Sequence, residues 1–299
     1  MKRLIALAGA IIIALSFTSC DKVTDPFEGI AQGGGDLVGD TNSTSTGNVR
    51  KVLAEEFTGH TCQSCPRWSE SLNDWSKNEY KGKMVIAALH YGSFAEPNPQ
   101  KGYPADFRSE TSQEVHDKVG ATLYPSCTFS RLKAGAESPG TWAGELANLE
   151  SSGFFTDASL QLDLRNIRSD AEDKNNLTIW GIAKKDLTGD HTVVVYIVED
   201  SIISPQTDQR RELQGLDPRD PNYAHRHMVR GHIGSVNGNA FIDANGLTTG
   251  DTVQVRYDLA KEDRSTDWDV KHLIFVVAVI ENATGQIIQA DEIHAVDNH

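Results

Sequence analysis

Hydrophobic and polar positions alternate in two different ways along this chain. From Val49 to about Gly153, short apolar runs are separated by stretches of helical spacing. Residues 49–57 and 84–90 read as strands. The second is apolar almost throughout, as expected of a strand covered on both faces. Trp68, Leu72 and Trp75 recur at spacings of four and three, which predicts a helix over residues 62–80. Residues 105–119 and 141–150 fit two further helices, with a strand at 125–131 between them and a proline-bearing loop at 94–103. Such alternation implies an α/β layer containing a parallel strand pair.

From about Phe154 the period becomes two. Candidate strands cover 159–165, 177–184, 192–199, 228–234, 252–259, 271–280 and 286–294, and Asn282-Ala283-Thr284-Gly285 joins the last two as a hairpin turn. Seven strands of alternating face predict an all-β, immunoglobulin-like sandwich. The polar stretch 207–223, with Pro218 and Pro221, reads as a long loop, a place where function often sits. The pattern therefore predicts two layered halves, 49–153 and 154–299, sharing an interface.

The first residues carry no such pattern. Lys2-Arg3 followed by an apolar core at 4–15 reads as an export signal over 1–19, too short to remain as a spanning helix. Leu15-Ser16-Phe17-Thr18-Ser19-Cys20 resembles the lipobox of bacterial lipoproteins. That resemblance implies cleavage before Cys20, lipidation of Cys20 and attachment to a membrane through the acyl chains. The alternative is an ordinary secretory signal that happens to meet a cysteine. Residues 20–48, rich in Gly, Ser, Thr and Asp, read as a flexible tether.

At 299 residues the chain is long enough for two domains, and 38% hydrophobic with 23% charged residues is ordinary for folded protein. Its net charge of −14 becomes −16 once Lys2 and Arg3 leave with the signal, which argues against a nucleic-acid surface. Of four cysteines, Cys20 belongs to the lipobox. Cys62, Cys65 and Cys127 are too few for a disulfide scaffold and point to redox or metal chemistry.

Cys62-Gln63-Ser64-Cys65-Pro66 falls where the first strand gives way to the first helix. A helix N-terminus offers unpaired N–H groups and the positive end of the dipole, and both favour a thiolate. Cys62 is then the exposed, attacking sulfur and Cys65, one turn deeper, the one that resolves a mixed disulfide. Pro66 suits a first helical turn, so regular helix is expected to start nearer Cys65 than Cys62. Two other readings stand beside exchange: a static disulfide, and a zinc site drawing on Cys62, Cys65, Cys127 and His60 or His116.

Glu56-Phe57, four intervening residues and then Cys62-x-x-Cys65 resemble thioredoxin-fold proteins. The resemblance implies a thioredoxin-like half at 49–153. It also implies that Glu56 is buried and handles the proton of the resolving cysteine, and that Pro125 of Tyr124-Pro125 is cis and faces the disulfide. In its place a strand-end carboxylate and an ordinary trans proline are the plain alternatives. Thr61 stands where such proteins usually carry an aromatic residue. Glu55 and Glu56 alternate across a strand, so only one is expected to face the core.

Cys127 reads as a buried thiol two residues beyond Pro125, or as a neighbour of the cysteine pair. His60 reads as a charge that tunes the cysteines, or as an ordinary turn histidine. His225-x-His227, with His232, reads as a metal pair or as a polar strand face. Three Asn-x-Thr/Ser sequons, at Asn42, Asn176 and Asn282, are treated as chance in a bacterial lipoprotein.

The lipobox, tether, Glu-Glu-Phe-Thr-Gly-His-x-Cys-x-x-Cys-Pro motif, the run 223–230 and the run 275–280 together resemble the Omp-twenty-eight-related outer-membrane lipoproteins of Bacteroidota. The resemblance implies an outer-membrane location, with envelope or surface proteins as partners. Two functions follow: thiol–disulfide exchange at Cys62 and Cys65, without a cofactor, or an adhesin-like binding module built on the same scaffold.

Overall fold

The computed structural model describes residues 40–296. Cys20 and the export signal lie outside the described residues. The chain runs β1 (Asp40–Ser45), β2 (Val52–Thr58), α1 (Cys65–Lys77), β3 (Met84–His90), α2 (Glu110–Val119), β4 (Ser126–Phe129) and α3 (Pro139–Ser151). It continues with β5 (Leu160–Ser169), β6 (Lys174–Ala183), β7 (His191–Glu199), β8 (Met228–Ile233), β9 (Asn239–Ile242), β10 (Thr252–Leu259), β11 (Leu273–Glu281) and β12 (Ile287–His294). Two-residue strand pairs and a short helical turn fill the excursion between β7 and β8. The architecture is mostly β, with few helices, and sandwich-like.

Helix limits follow local chemistry. Regular helix starts at Cys65, with Pro66 in the first turn and Leu72 buried on the inner face, so Cys62 sits in the turn before it. Helix α2 starts at Glu110 rather than 105 because the Ser109 hydroxyl accepts from the Ser112 N–H at 3.0 Å. It stops at Gly120, whose left-handed φ of 72° only glycine adopts freely.

An eight-stranded sheet runs β12-β11-β7-β8-β3-β2-β4, with β9 also pairing with β7. Strands β2 and β3 are parallel, and β4 joins β2 antiparallel. The expected separation into two layered halves at 153/154 is therefore corrected. Met228 of β8 pairs in parallel with Ala88 of β3, the Ala88 N–H donates to the His227 carbonyl at 2.7 Å, and one sheet crosses the boundary. Exposed edges of β3 and of β7 would leave unpaired backbone groups, and β8 satisfies both.

A second sheet, β1-β5-β6-β10, packs against part of the first. Strand β7 shows why both faces of the large sheet are covered. Val193, Val195 and Ile197 pack on Leu160, Leu162 and Ile179 of the smaller sheet. Val194, Tyr196 and Val198 face the opposite way, toward Leu53, Phe57 and Val115 of α2. Helices α1 and α3 cover Val52, Ala54 and Ile86 on the same side as the smaller sheet.

The expected tether is corrected at its end. Residues 40–45 form β1, which pairs antiparallel with β5. Asn42 donates to the His294 carbonyl at 2.8 Å and Thr44 to Asp291 at 2.9 Å. Alternating Thr and Ser side chains carry no apolar signature, yet the strand needs only an open edge and polar partners.

Candidate functional site around Cys62 and Cys65

Cys62 and Cys65 form a disulfide with Cα atoms 5.4 Å apart. Cys62 closes the turn after β2 and Cys65 opens α1, so their spacing of three spans the strand-to-helix junction. The loop that carries them is held from two sides. On one side, the Thr61 N–H donates to the Phe94 carbonyl at 3.0 Å. Gly59 is required there, because a Cβ would lie 2.6 Å from Phe94 backbone atoms. On the other side, the excursion between β7 and β8 lays residues 206–209 along the loop. The Gln206 amide donates to the Cys62 carbonyl at 3.0 Å and the Gly59 carbonyl at 3.4 Å. The Thr207 N–H donates to the His60 carbonyl at 2.8 Å and the Gln209 N–H to that of Gln63 at 3.0 Å.

The expectation of an exposed Cys62 is corrected: the residue is buried, and its carbonyl accepts from Gln206 of this strap. Cys62 is 3% exposed and Cys65 1%. The signal for it was non-local: Gln206 stands just before the polar stretch 207–223 and nothing near it in sequence points to the cysteines.

Both glutamates of β2 are buried, where only one was expected to be. Their side chains leave on opposite faces, as strand geometry requires, but the large sheet is covered on both. Glu55 faces α2 and is held by Arg131 at 2.6 and 2.8 Å and by the Tyr196 hydroxyl at 2.9 Å. Glu56 faces α1 and, among the described residues, forms no ion pair; Arg226 lines the same cavity but pairs with Asp200. The Ser69 hydroxyl, one turn beyond Cys65, donates to Glu56 Oε1 at 2.6 Å and lies 3.1 Å from the Cys65 carbonyl. Burial pushes the Glu56 carboxyl up to about 7, against the pull of that hydrogen bond. Glu56, Ser69, Asn73, Tyr223 and His227 line an open cavity of about 360 Å³ between α1 and the excursion.

The Tyr124–Pro125 peptide is cis. Tyr124 stacks in a row with His116 and Tyr91, whose rings lie 3.8 Å apart, and packs against Phe94. Cys127 is a free thiol, fully buried, paired across the ladder with Glu56. Burial and then the nearby Glu56 and Glu55 carboxylates push its thiol well up, so it stays protonated.

The histidines do not gather as a metal pair. His225 belongs to a buried cluster with His90, 5.5 Å away, and Phe107, 5.0 Å away. His60 stacks on Tyr103 and its Nε2 donates to the Glu96 carbonyl at 3.0 Å. Burial pushes the His225 imidazole down to about 3 and lowers those of His60 and His90. His227 has a left-handed φ of 52° and turns into the cavity, while His232 Nδ1 meets the Thr111 hydroxyl at 2.8 Å. Among the described residues, no three or more His, Cys, Asp or Glu side chains are arranged to hold a metal ion.

A β-rich fold with, among the described residues, one disulfide at a strand-to-helix junction is the class these features define. The family model "Outer membrane protein Omp28" matches residues 112–297, and the chain belongs to that family, which places it in the outer membrane. No curated protein sequence matches it. Among solved structures it is similar to HBP35 of Porphyromonas gingivalis, with a TM-score of 0.57 and 19% identity over 84% of this chain and 76% of that one. Protein AGR_C_4864 of Agrobacterium tumefaciens gives a TM-score of 0.50 and 16% identity over 84% and 97%. A domain of the outer membrane lipoprotein Omp28 from Porphyromonas gingivalis gives 0.30 and 13% over 46% and 89%. At these identities the likeness is one of fold.

Proposed function

We propose that this outer-membrane protein carries out thiol–disulfide exchange through Cys62 and Cys65, that its 49–153 segment is thioredoxin-like, and that Cys20 carries the lipid anchor. The observation that carries the reading is the pairing of the Cys62–Cys65 disulfide with a buried carboxyl, Glu56, that forms no ion pair among the described residues and is linked to the Cys65 backbone through Ser69. In the reducing direction, the Cys62 thiolate attacks a client disulfide, a mixed disulfide forms and one client thiolate leaves. Glu56 takes the proton of Cys65, whose thiolate then attacks the Cys62 sulfur. The Cys62–Cys65 bond forms, the second client thiolate leaves, and two electrons have passed to the client. A carboxyl titrating near 7 both accepts and returns that proton at neutral pH. Clients are envelope or surface proteins, and no nucleic acid is involved. No cofactor is needed, since the sulfurs carry the electrons.

One observation favours the binding-module reading: both sulfurs are covered, as a static disulfide would be. The Cys65→Ser variant separates the two. With the resolving sulfur gone, Cys62 is expected to accumulate mixed disulfides in envelope extract, and Cys62→Ser none. Absence of any trapped client, with a wild-type disulfide resistant to mild reductants, would leave the binding module in its place. Cys20→Ala is expected to release the protein from membranes, and unchanged attachment would end the anchor assignment.

A further inference from the structure

We infer that the strap at residues 206–210 is a gate on the Cys62–Cys65 disulfide, closed in this structure and opened to admit a protein thiol. The inference rests on the exchange reading, since a gate matters only if the disulfide reacts.

The strap is a built closure. It lies in the excursion between β7 and β8, far along the chain from the cysteine loop, and meets that loop at four backbone carbonyls: Gly59, His60, Cys62 and Gln63. Its central side chain, Gln206, is 2% exposed and spends its amide donors on the loop and on the Thr207 carbonyl. A buried amide of this kind holds one geometry, because misplacement strands its donors without partners. The Tyr103 hydroxyl lies 2.6 Å from that of Thr207 and steadies the strap from the 94–103 loop.

The outer end of the strap has a different chemistry. Arg210 forms a two-toothed pair with Glu70 on α1, at 2.5 and 2.8 Å, and also grips Asp208 within the strap itself. The Arg210 and Glu70 side chains are 34% and 48% exposed. Water competes for a pair so placed, and it contributes little when broken. So the inner end is specific and buried, while the outer end is a weak ionic clasp at the surface. Beyond the clasp, Leu213 is 88% exposed and Leu216 49%, which gives an approaching polypeptide something to grip on the strap's own continuation.

With the strap seated, Cys62 is 3% exposed, which leaves little surface for the in-line approach of a thiolate carried on a folded chain. Lifting residues 206–210 is expected to uncover Cys62, while the Ser69 contacts to Glu56 and to the Cys65 carbonyl, which involve no strap residue, stay in place. The gate therefore selects for clients that displace the strap, and it protects the disulfide from small thiols in the meantime.

The test uses the full-length oxidised protein and the rate at which dithiothreitol reduces its disulfide. Gln206→Ala and Arg210→Glu are each expected to speed reduction, by about fivefold to tenfold for the buried amide and less for the clasp. The exchanged pair Glu70→Arg with Arg210→Glu is expected to return the rate toward wild type. Unfolding curves of the oxidised variants report whether each is folded. If Gln206→Ala is not, the clasp reversal and its exchanged partner decide alone. Equal rates in all folded variants would overturn the gate. The same strap substitutions combined with Cys65→Ser, read by client trapping and set beside the reduction rates measured with Cys65 intact, separate the two ideas. Faster reduction in strap variants that trap no client keeps the gate and removes the exchange reading. Unchanged reduction rates alongside equal trapping with and without Arg210→Glu keeps exchange and removes the gate.

Discussion

Glu55 and Glu56 stand side by side on β2, both buried, and their surroundings are opposite in kind. Glu55 meets a guanidinium and a phenol, and the three groups tie β2, the turn after β4 and β7 into one block. Glu56 meets a serine hydroxyl and an open cavity, with no ion pair among the described residues, and its carboxyl sits near 7. A buried carboxylate with a matched cation is a fixture. One without a cation exchanges its proton in the range where cells work. The same residue type at adjacent positions thus separates into structure and chemistry by what the two faces of the sheet supply.

The largest expected effect breaks the first half of that comparison. Arg131→Met strands the Glu55 charge in the core and is expected to cost about 3–5 kcal/mol in denaturant unfolding. A loss under about 1 kcal/mol would mean that the Glu55–Arg131 pair is not a fixture.

Glu56→Gln tests the second half. The folded carboxyl titrates near 7 and the unfolded one near the ordinary glutamate value of 4.5. The folded form therefore holds its proton more tightly, and stability falls as pH rises from about 4.5 to about 7. Gln removes that titration. It is expected to stabilise the oxidised protein by about 3 kcal/mol near pH 8 and to leave it unchanged near pH 4. A variant equally stable relative to wild type at both pH values would refute the elevated carboxyl. In the exchange assay the same variant is expected to slow resolution without preventing the disulfide from forming.

His225 supplies the contrast in sign. Its folded imidazole lies near 3, below the 6.5 of an ordinary histidine, so the unfolded state binds the proton more readily. Stability is lost as pH falls from about 6.5 toward 3, by about 2 kcal/mol between pH 6.5 and pH 5 for this group. His225→Phe is expected to flatten that acid slope, and a slope identical to wild type would remove His225 as its source. Ser69→Ala should have the smallest effect. It removes the hydrogen bond that favours the Glu56 carboxylate, so the titration seen in the pH dependence of stability moves upward. Movement downward would contradict the Ser69 contact.

Local signals carried far in this chain. Strand β10 runs over residues 252–259 as its alternation predicts, and the hairpin between β11 and β12 falls at Asn282–Gly285. The cysteine motif lands on the strand-to-helix junction, and Tyr124–Pro125 is cis where the motif-level likeness put it. What escaped depends on distant parts of the chain. Valine runs in β7 and β11 look the same whether one face or both are buried, so a strand central to a shared sheet was not separable from a sandwich strand. Burial of both β2 glutamates needed Arg131 and Tyr196 to arrive from far along the chain. Strand β1 is written in Thr and Ser, residues that also make tethers. Gln206 has no local pattern at all, because its partners are carbonyls some 144 residues earlier.

The parallel contact between Ala88 and Met228 has a consequence for the birth of the molecule. Polypeptide crossing a membrane emerges from its N-terminal end, so β2, β3 and β4 are outside well before residues 228–233. Until then the free side of β3 is an open hydrogen-bonding edge with the apolar residues Val85, Ala87 and Leu89 behind it. Passage to the outer membrane is thus a period in which that edge stays open until residues 228–233 arrive to pair with it. A chain ended near residue 153 keeps the edge permanently and is expected to aggregate, although every residue of the cysteine motif is present.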